Sequence, residues 1–207
     1  MSLNKKIYSH FEINSGSDIK IDDFILDLLK NTIKSDKRVA HSISVANLAY
    51  KIALGNNLND PFYYYLAGLF HDIAKGIDKK EAVKLMNLHY KEYLDLPAFS
   101  YHQFLGEYLT KKLIGIEDNA ILDAIKFHCT GKANMTSLDK IIYASDKIDP
   151  LRGYDSSDMI NSMLENHEKG FLYVLDENHK FLINKTNDLN SVNNRLSREC
   201  FEYYLKK

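Results

Sequence analysis

Glycine and proline are scarce, nine and three among 207 residues, about half the usual share. So few turn formers exclude a turn-rich all-β protein. Cysteine is scarcer still: Cys129 and Cys200 cannot build a disulfide framework, and their number suits a reducing compartment. No apolar run approaches the ~20 residues of a membrane span, and no signal-peptide pattern opens the chain. Charge of one sign is missing too. Twenty-seven basic against 28 acidic residues leave a net charge of −1. Nucleic acid is therefore not an expected partner, although a local basic pocket for phosphates remains open. These absences point to a soluble, cytoplasmic protein, and the length fits one large domain or two small ones, with a core of useful size.

Histidine is what the chain does hold. Eight are present. His10, His89, His167 and His179 sit among polar or charged neighbours and read as surface residues. His41, His71, His102 and His128 sit in segments that otherwise read as helix or core.

Residues 1–18 read as a polar, irregular N-terminal extension, with a loop at Asn14–Ser17. From Ile19 to Ile33, Ile21, Phe24, Ile25, Leu28 and Leu29 recur at helical spacing. Asp36 can cap the next helix, which is apolar on two sides and so belongs inside; Gly55-Asn56-Asn57 ends it. Asp60-Pro61 opens another, nearly all apolar from Tyr63 to Ile73. Further helices are expected at about 79–89, 101–114, 117–128 and 136–148, the last ended by Pro150. Ser156 can cap one long amphipathic segment to about Leu182, and after a polar break (Asn184–Asn190) a terminal helix carries Val192, Leu196, Cys200 and Tyr204. With no repeat and no alternating strand pattern, the expected fold is all-α, a single domain over residues 19–207.

His71 and Asp72 are adjacent at the end of an apolar helix. A lone His-Asp pair reads most simply as a hydrogen-bonded core pair. The other positions change the balance. His41 lies on the Val45–Leu48–Ile52 stripe, His128 follows Ile121 and Ile125 on an apolar face, Asp146 follows Ile142 by one turn, and His102 begins a helix after Pro97. Four histidines and two aspartates thus point inward from five helices. Burying such groups is costly unless they are paired or hold a cation. Helical bundles build dinuclear sites this way, and mixed imidazole and carboxylate donors suit iron, manganese or zinc.

The order His41, His71-Asp72, His102, His128, Asp146 resembles the HD-domain metal-dependent phosphohydrolases, in their dinuclear branch. The strings Arg38–Ser42, Ala67–Lys75, His128–Gly131 and Ala144–Arg152 resemble, more narrowly, the YqeK-type symmetrical bis(5'-nucleosyl)-tetraphosphatases. The likeness runs from about residue 20 to the C-terminus and leaves residues 1–18 outside. Cys129 and Ser145 depart from it, standing where the family usually has Thr and often has Ala. Cys129 reads as a small core residue, not a nucleophile.

The resemblance implies an HD-domain helical bundle with a dinuclear metal site in its core. His41, His71, Asp72 and Asp146 would hold one divalent ion, and His102 and His128 the second, with Asp72 bridging. Iron comes first, with manganese, cobalt or zinc as alternatives. Two metals ~3.5–4 Å apart can share a hydroxide and aim it in line at phosphorus. The implied reaction is symmetrical hydrolysis of diadenosine tetraphosphate to two ADP. Asp72 and Lys75 are the candidate catalytic residues. Arg152, Arg38, Thr130, Gly131 and, more loosely, Asn194 are the candidate substrate contacts, because a tetraphosphate needs cations and donors beyond the metals. Three alternatives stay open: another nucleotide substrate such as a deoxynucleoside triphosphate, a non-catalytic nucleotide sensor, and a helical scaffold for RNA or ribosomal proteins. The chain could act alone or as a homodimer.

Overall fold

Ile7 and Phe11 decide the course of the N-terminal segment. In the computed structural model, which describes residues 5–13, 19–186 and 194–206, both side chains are buried. The expectation of an irregular extension is corrected here. A short helix α1 (Lys5–Tyr8) leads into strands β1 (Phe11–Ile13) and β2 (Ile19–Ile21), paired antiparallel with Phe11 opposite Ile21. The Phe11 ring meets Phe62 and Tyr65 edge-on at 5.2 and 5.9 Å, so the hairpin closes one side of the core. The loop expected at Asn14–Ser17 lies outside the described residues.

The first long helix starts at Asp23, not Ile19, because the Asp22 carboxylate accepts from the Ile25 amide at 3.0 Å and caps it. This helix, α2 (Asp23–Ile33), buries Ile25, Leu29 and Ile33. Two apolar helices follow, α3 (Asp36–Gly55) and α4 (Pro61–Phe70); the cap expected at Asp36 is not made, because Ser35 holds the N-cap position and Asp36 is the first helical residue. The two helices cross at Gly68, where any Cβ would stand 2.8 Å from the Ala46 Cα. Only glycine allows that approach, and it brings the His41 turn of α3 to the end of α4. A series of tight turns carries His71 and Asp72 on to α5 (Lys79–His89), which Asp78 caps.

The helix expected at 101–114 is α6 (Tyr101–Leu109) followed by one wide turn (Thr110–Ile114) that Gly115 ends in the left-handed region. Asp118 caps α7 (Asn119–Phe127). A reciprocal Thr136–Asp139 capping box starts α8 (Ser137–Ile148).

The long segment after Ser156 is two helices, not one: α9 (Ser157–Glu165) and α10 (His167–Thr186). Asn166 breaks it. Its side chain accepts from the Lys169 amide at 3.0 Å and starts a new helix, while Asn56 donates to the Met163 carbonyl at 2.9 Å and closes the old one. His167, expected on the surface, is half-buried in this joint and contacts Ser137 Oγ at 3.0 Å. Helix α11 (Arg195–Leu205) packs its Leu196, Cys200 and Phe201 inward. Val192 and residues 187–190 of the polar break lie outside the described residues. Apart from the hairpin, the described residues are helix and connecting turns, which makes the fold all-α.

Candidate metal centre

Local helix geometry aims each histidine. His71 ends α4, His128 ends α7, and His102 sits in the first turn of α6. Each passes its Nδ1 hydrogen to the carbonyl three residues earlier: His71 to Gly68 at 2.6 Å, His102 to Phe99 at 2.7 Å and His128 to Ile125 at 2.7 Å. A carbonyl can only accept, so Nδ1 carries a proton and Nε2 is the atom that can offer a lone pair when the ring is neutral. His41 follows the same logic with a carboxylate. Its Nδ1 lies 2.5 Å from Asp149 Oδ2, and Ser44 Oγ donates to the other oxygen of Asp149 at 2.5 Å.

The four Nε2 atoms converge on two carboxylates. Asp72 Oδ1 has His102 at 3.4 Å, His128 at 3.5 Å and His71 at 3.8 Å. Asp146 Oδ1 has His41 at 3.1 Å and His71 at 3.6 Å. All six sequence-predicted ligands are thereby brought together. Five of them form two groups with donor atoms within 4.8 Å of one another, His41–His71–Asp72 and Asp72–His102–His128, which share Asp72, and Asp146 adjoins the first through His41 and His71.

Hydrogen bonding alone does not explain this arrangement. His102 and His128 hold their Nε2 atoms 3.1 Å apart, and with both protons on Nδ1 the two lone pairs repel. His71 Nε2 and Asp72 Oδ1 are buried without a hydrogen-bond partner. Such groups are costly to bury unless a cation takes their lone pairs. The donor set is that of a divalent-metal site.

Electrostatics agree. Burial, with Lys75 nearby, lowers the His102 pKa well below the ordinary imidazole value, and burial lowers His128 likewise, so both stay neutral and fit to ligate. For Asp72, burial raises the pKa, but His71, His128 and His102 outweigh it and keep the carboxylate ionised. For Asp146, burial is likewise outweighed, by Lys147 and His41. Burial works against charge on His41, yet its bonds to Asp146 and Asp149 raise its pKa to about 9.

A cavity of about 840 Å³ opens from this cluster. Lys75 lines it with Nζ 3.7 Å from Asp72, and Arg152 lines it while gripping the carboxylate and the carbonyl of Asp146. Thr130 and Asn194 line it as well. Arg38 and Gly131 do not. Arg38 is exposed on α3, and Gly131 has φ +68° with its missing Cβ 2.6 Å from Cys200 Sγ, so its glycine serves packing. Cys129 also lines the cavity, and burial raises its thiol pKa, in keeping with an inert side chain.

Three residues escape a reading by spacing. Asp149 orients His41, and its only signal is a carboxylate one turn after Asp146. Lys147 donates to the His128 carbonyl at 2.9 Å and lies 3.2 Å from Asp146 Oδ2. Gln103 is fully buried. Its Oε1 accepts from the Cys129 and Thr130 amides at 3.2 Å, tying the helix of His102 to the loop after His128.

Comparison with known proteins bears on the same residues. The HD domain model matches residues 38–151, more than half of the chain. The chain belongs to the HD domain family. The matched span holds every ligand candidate from His41 to Asp146, so the convergent histidines are the HD domain's own. The chain is 30% identical over 175 residues to a symmetrical bis(5'-nucleosyl)-tetraphosphatase of Staphylococcus aureus, covering 82% of this chain and 87% of that protein. It is 32% identical over 136 residues to the enzyme of that name from Bacillus subtilis, covering 63% and 71%. A probable nicotinate-nucleotide adenylyltransferase/Ap4A hydrolase of Mycoplasma genitalium is 28% identical over 160 residues, and the chain spans only 45% of its length. Among solved structures, a predicted HD superfamily hydrolase involved in NAD metabolism from Clostridium acetobutylicum superposes with a TM-score of 0.73 at 31% identity, covering 88% of this chain and 96% of that one. The protein is thus an HD-domain hydrolase. No helix among the described residues is long and apolar enough to cross a membrane.

Proposed function

We propose that this chain hydrolyses dinucleoside tetraphosphates symmetrically, with diadenosine tetraphosphate giving two ADP. One observation carries the reading. Three cations, Lys75, Lys147 and Arg152, line the same cavity as Asp72 and Asp146, where four imidazole Nε2 atoms converge. Cations stacked above a divalent-metal donor set suit a polyphosphate chain, and relatives of this size carry the tetraphosphatase name.

In this reading His41, His71, Asp72 and Asp146 would hold one ion, and Asp72, His102 and His128 would hold the other. The imidazole and carboxylate donors favour iron, with manganese, cobalt or zinc as substitutes. Bound there, divalent ions supply Lewis acidity toward phosphoryl oxygens and lower the pKa of water. The chain does the positioning. Lys75 acts as a point charge on the phosphates beside Asp72. Arg152 holds Asp146 through Nε and one terminal nitrogen, and its remaining N–H groups can hold a phosphate oxygen beside that carboxylate and fix which linkage is presented. Thr130 and Asn194 bound the same space. Water adds to one phosphorus of the central linkage, the bridging P–O bond breaks, and each half leaves as a nucleoside diphosphate. The two free thiols fit a cytoplasmic setting.

Early products decide the register. Chromatography of the first turnovers with iron, manganese or cobalt should show ADP alone. ATP and AMP in equal amounts would mean the phosphate chain sits one unit out of place, and the symmetrical reading would be wrong. Arg152→Ala should lower kcat/KM on the order of a hundredfold while both ions stay bound.

A further inference from the structure

The cavity extends well past the ligand cluster, and its two ends differ in chemistry. Lys75, Lys147 and Arg152 all stand at one end, each within ion-pair distance of Asp72 or Asp146. The other wall is a single face of α10. Val174, Glu177, Asn178 and Phe181 recur there at helical spacing and line the same space, with Met159 of α9 beside them. This face offers apolar surface, one amide and one carboxylate already paired with Lys180 at 2.8 Å, and none of its lining residues is a cation. A phosphate chain finds no cationic partner along such a wall, whereas an uncharged flat ring with a polar edge is matched by it.

Asn178 supplies the polar contact. Its Nδ2 donates to the Tyr143 hydroxyl at 2.8 Å. Tyr143 is buried in α8, and its ring centroid lies 4.1 Å from Lys147 Nζ. Tyr143 therefore spaces Asn178 one aromatic ring away from a cation that touches Asp146. Nδ2 gives one hydrogen to Tyr143, which leaves Oδ1 as the acceptor of a residue that lines the cavity. Phe181, 60% exposed, presents an aromatic surface one turn further along the same face.

We infer that this face of α10 is a nucleobase subsite, in which Asn178 Oδ1 accepts from the exocyclic amine of adenine while the apolar side chains cover the ring. The inference rests on the nucleotide reading above and adds where the base goes and what reads it. An acceptor here distinguishes adenine, which carries an amine at its six-position, from hypoxanthine, which carries a carbonyl there. A mismatched pair of acceptors leaves both unsatisfied, which is why one atom can set a preference.

Calorimetric binding to the metal-loaded protein tests this without relying on turnover. The probes are ADP, IDP and inorganic pyrophosphate, which lacks the nucleoside. The wild type should bind ADP about tenfold or more tighter than pyrophosphate, and several-fold tighter than IDP. Asn178→Leu should erase the preference for ADP over IDP and leave pyrophosphate affinity unchanged. Asn178→Asp, which keeps an acceptor at the same place, should retain the preference and guards against a variant that merely misfolds. A wild type that binds ADP and pyrophosphate equally would overturn the subsite alone. So would an Asn178→Leu protein that keeps the ADP preference or loses affinity for all three ligands alike. A wild type that binds neither ADP nor pyrophosphate would overturn the nucleotide reading together with the subsite.

Discussion

Asp72 is the residue on which both ligand groups depend. Its Oδ1 faces three imidazole nitrogens, and it is the one member common to the two clusters. Asp72→Ala should therefore empty both positions and abolish activity, while His102→Ala should empty mainly one. Elemental analysis checks this directly: two ions per chain in the Asp72→Ala protein would refute the bridging assignment. Circular dichroism of the same sample separates lost metal from lost fold. The ligands were legible in the sequence because ionisable groups on apolar helix faces have few reasons to be buried. Their supports were not. Gln103 and Asp149 act through hydrogen bonds to chain segments 26 and 108 residues away, and no local spacing announces such partners. Arg38 shows the opposite error of spacing. It stands one turn before His41, yet that turn carries it to the exposed side of α3.

At the scale of elements, the site is set by where helices begin, end and cross. Three of the four histidines use the carbonyl three residues back, two of them at a helix C-terminus where carbonyls lack an intrahelical partner. The histidines' helices were legible from apolar spacing and not from caps: Asp36 lies inside α3, and Asp60 and Ser156 make no side-chain cap bond, whereas Asp78, Asp118 and Thr136 do. The hairpin was not legible, because strands of three residues are too short to show alternation. The break at Asn166 was equally hidden. It depends on Asn56, 107 residues away from the Met163 carbonyl that it satisfies. The α3–α4 crossing is the most exposed to test. A Cβ at position 68 would meet the backbone of Ala46 at 2.8 Å, so the two helices must separate to admit it. Gly68→Ala should destabilise the protein by about 1–3 kcal/mol, the usual cost of overpacking, despite alanine's better helix propensity. Urea denaturation measures this. Because the same shift moves His71 away from His41, metal content should fall too. A variant as stable as wild type, with two ions bound, would show that the crossing has slack.

For the whole molecule, the centre is also a tether. Its candidate ligands span residues 41 to 146 and come from α3, the end of α4, α6, the end of α7 and α8, so ions held there would join five elements at one point. The folded chain presents the donors already converged, whereas the unfolded chain scatters them. Binding that favours the native state adds stability of RT ln(1 + [M]/Kd), about 2.7 kcal/mol per site at a hundredfold excess over Kd. For a chain of this length each kcal/mol moves Tm by roughly 2–4 °C. Chelator-treated protein should therefore melt roughly 5–10 °C lower per emptied site, and added manganese or iron should restore the loss. His102→Ala should show a smaller gain on metal addition than wild type, because only the His41–His71–Asp72 group remains whole. The sign of the shift separates two accounts of the buried imidazoles. If they were satisfied by the protein alone, divalent ions would leave Tm unchanged. If their lone pairs await a cation, as the unpartnered His71 Nε2 and Asp72 Oδ1 indicate, Tm must rise with metal concentration and level off once two ions per chain are bound.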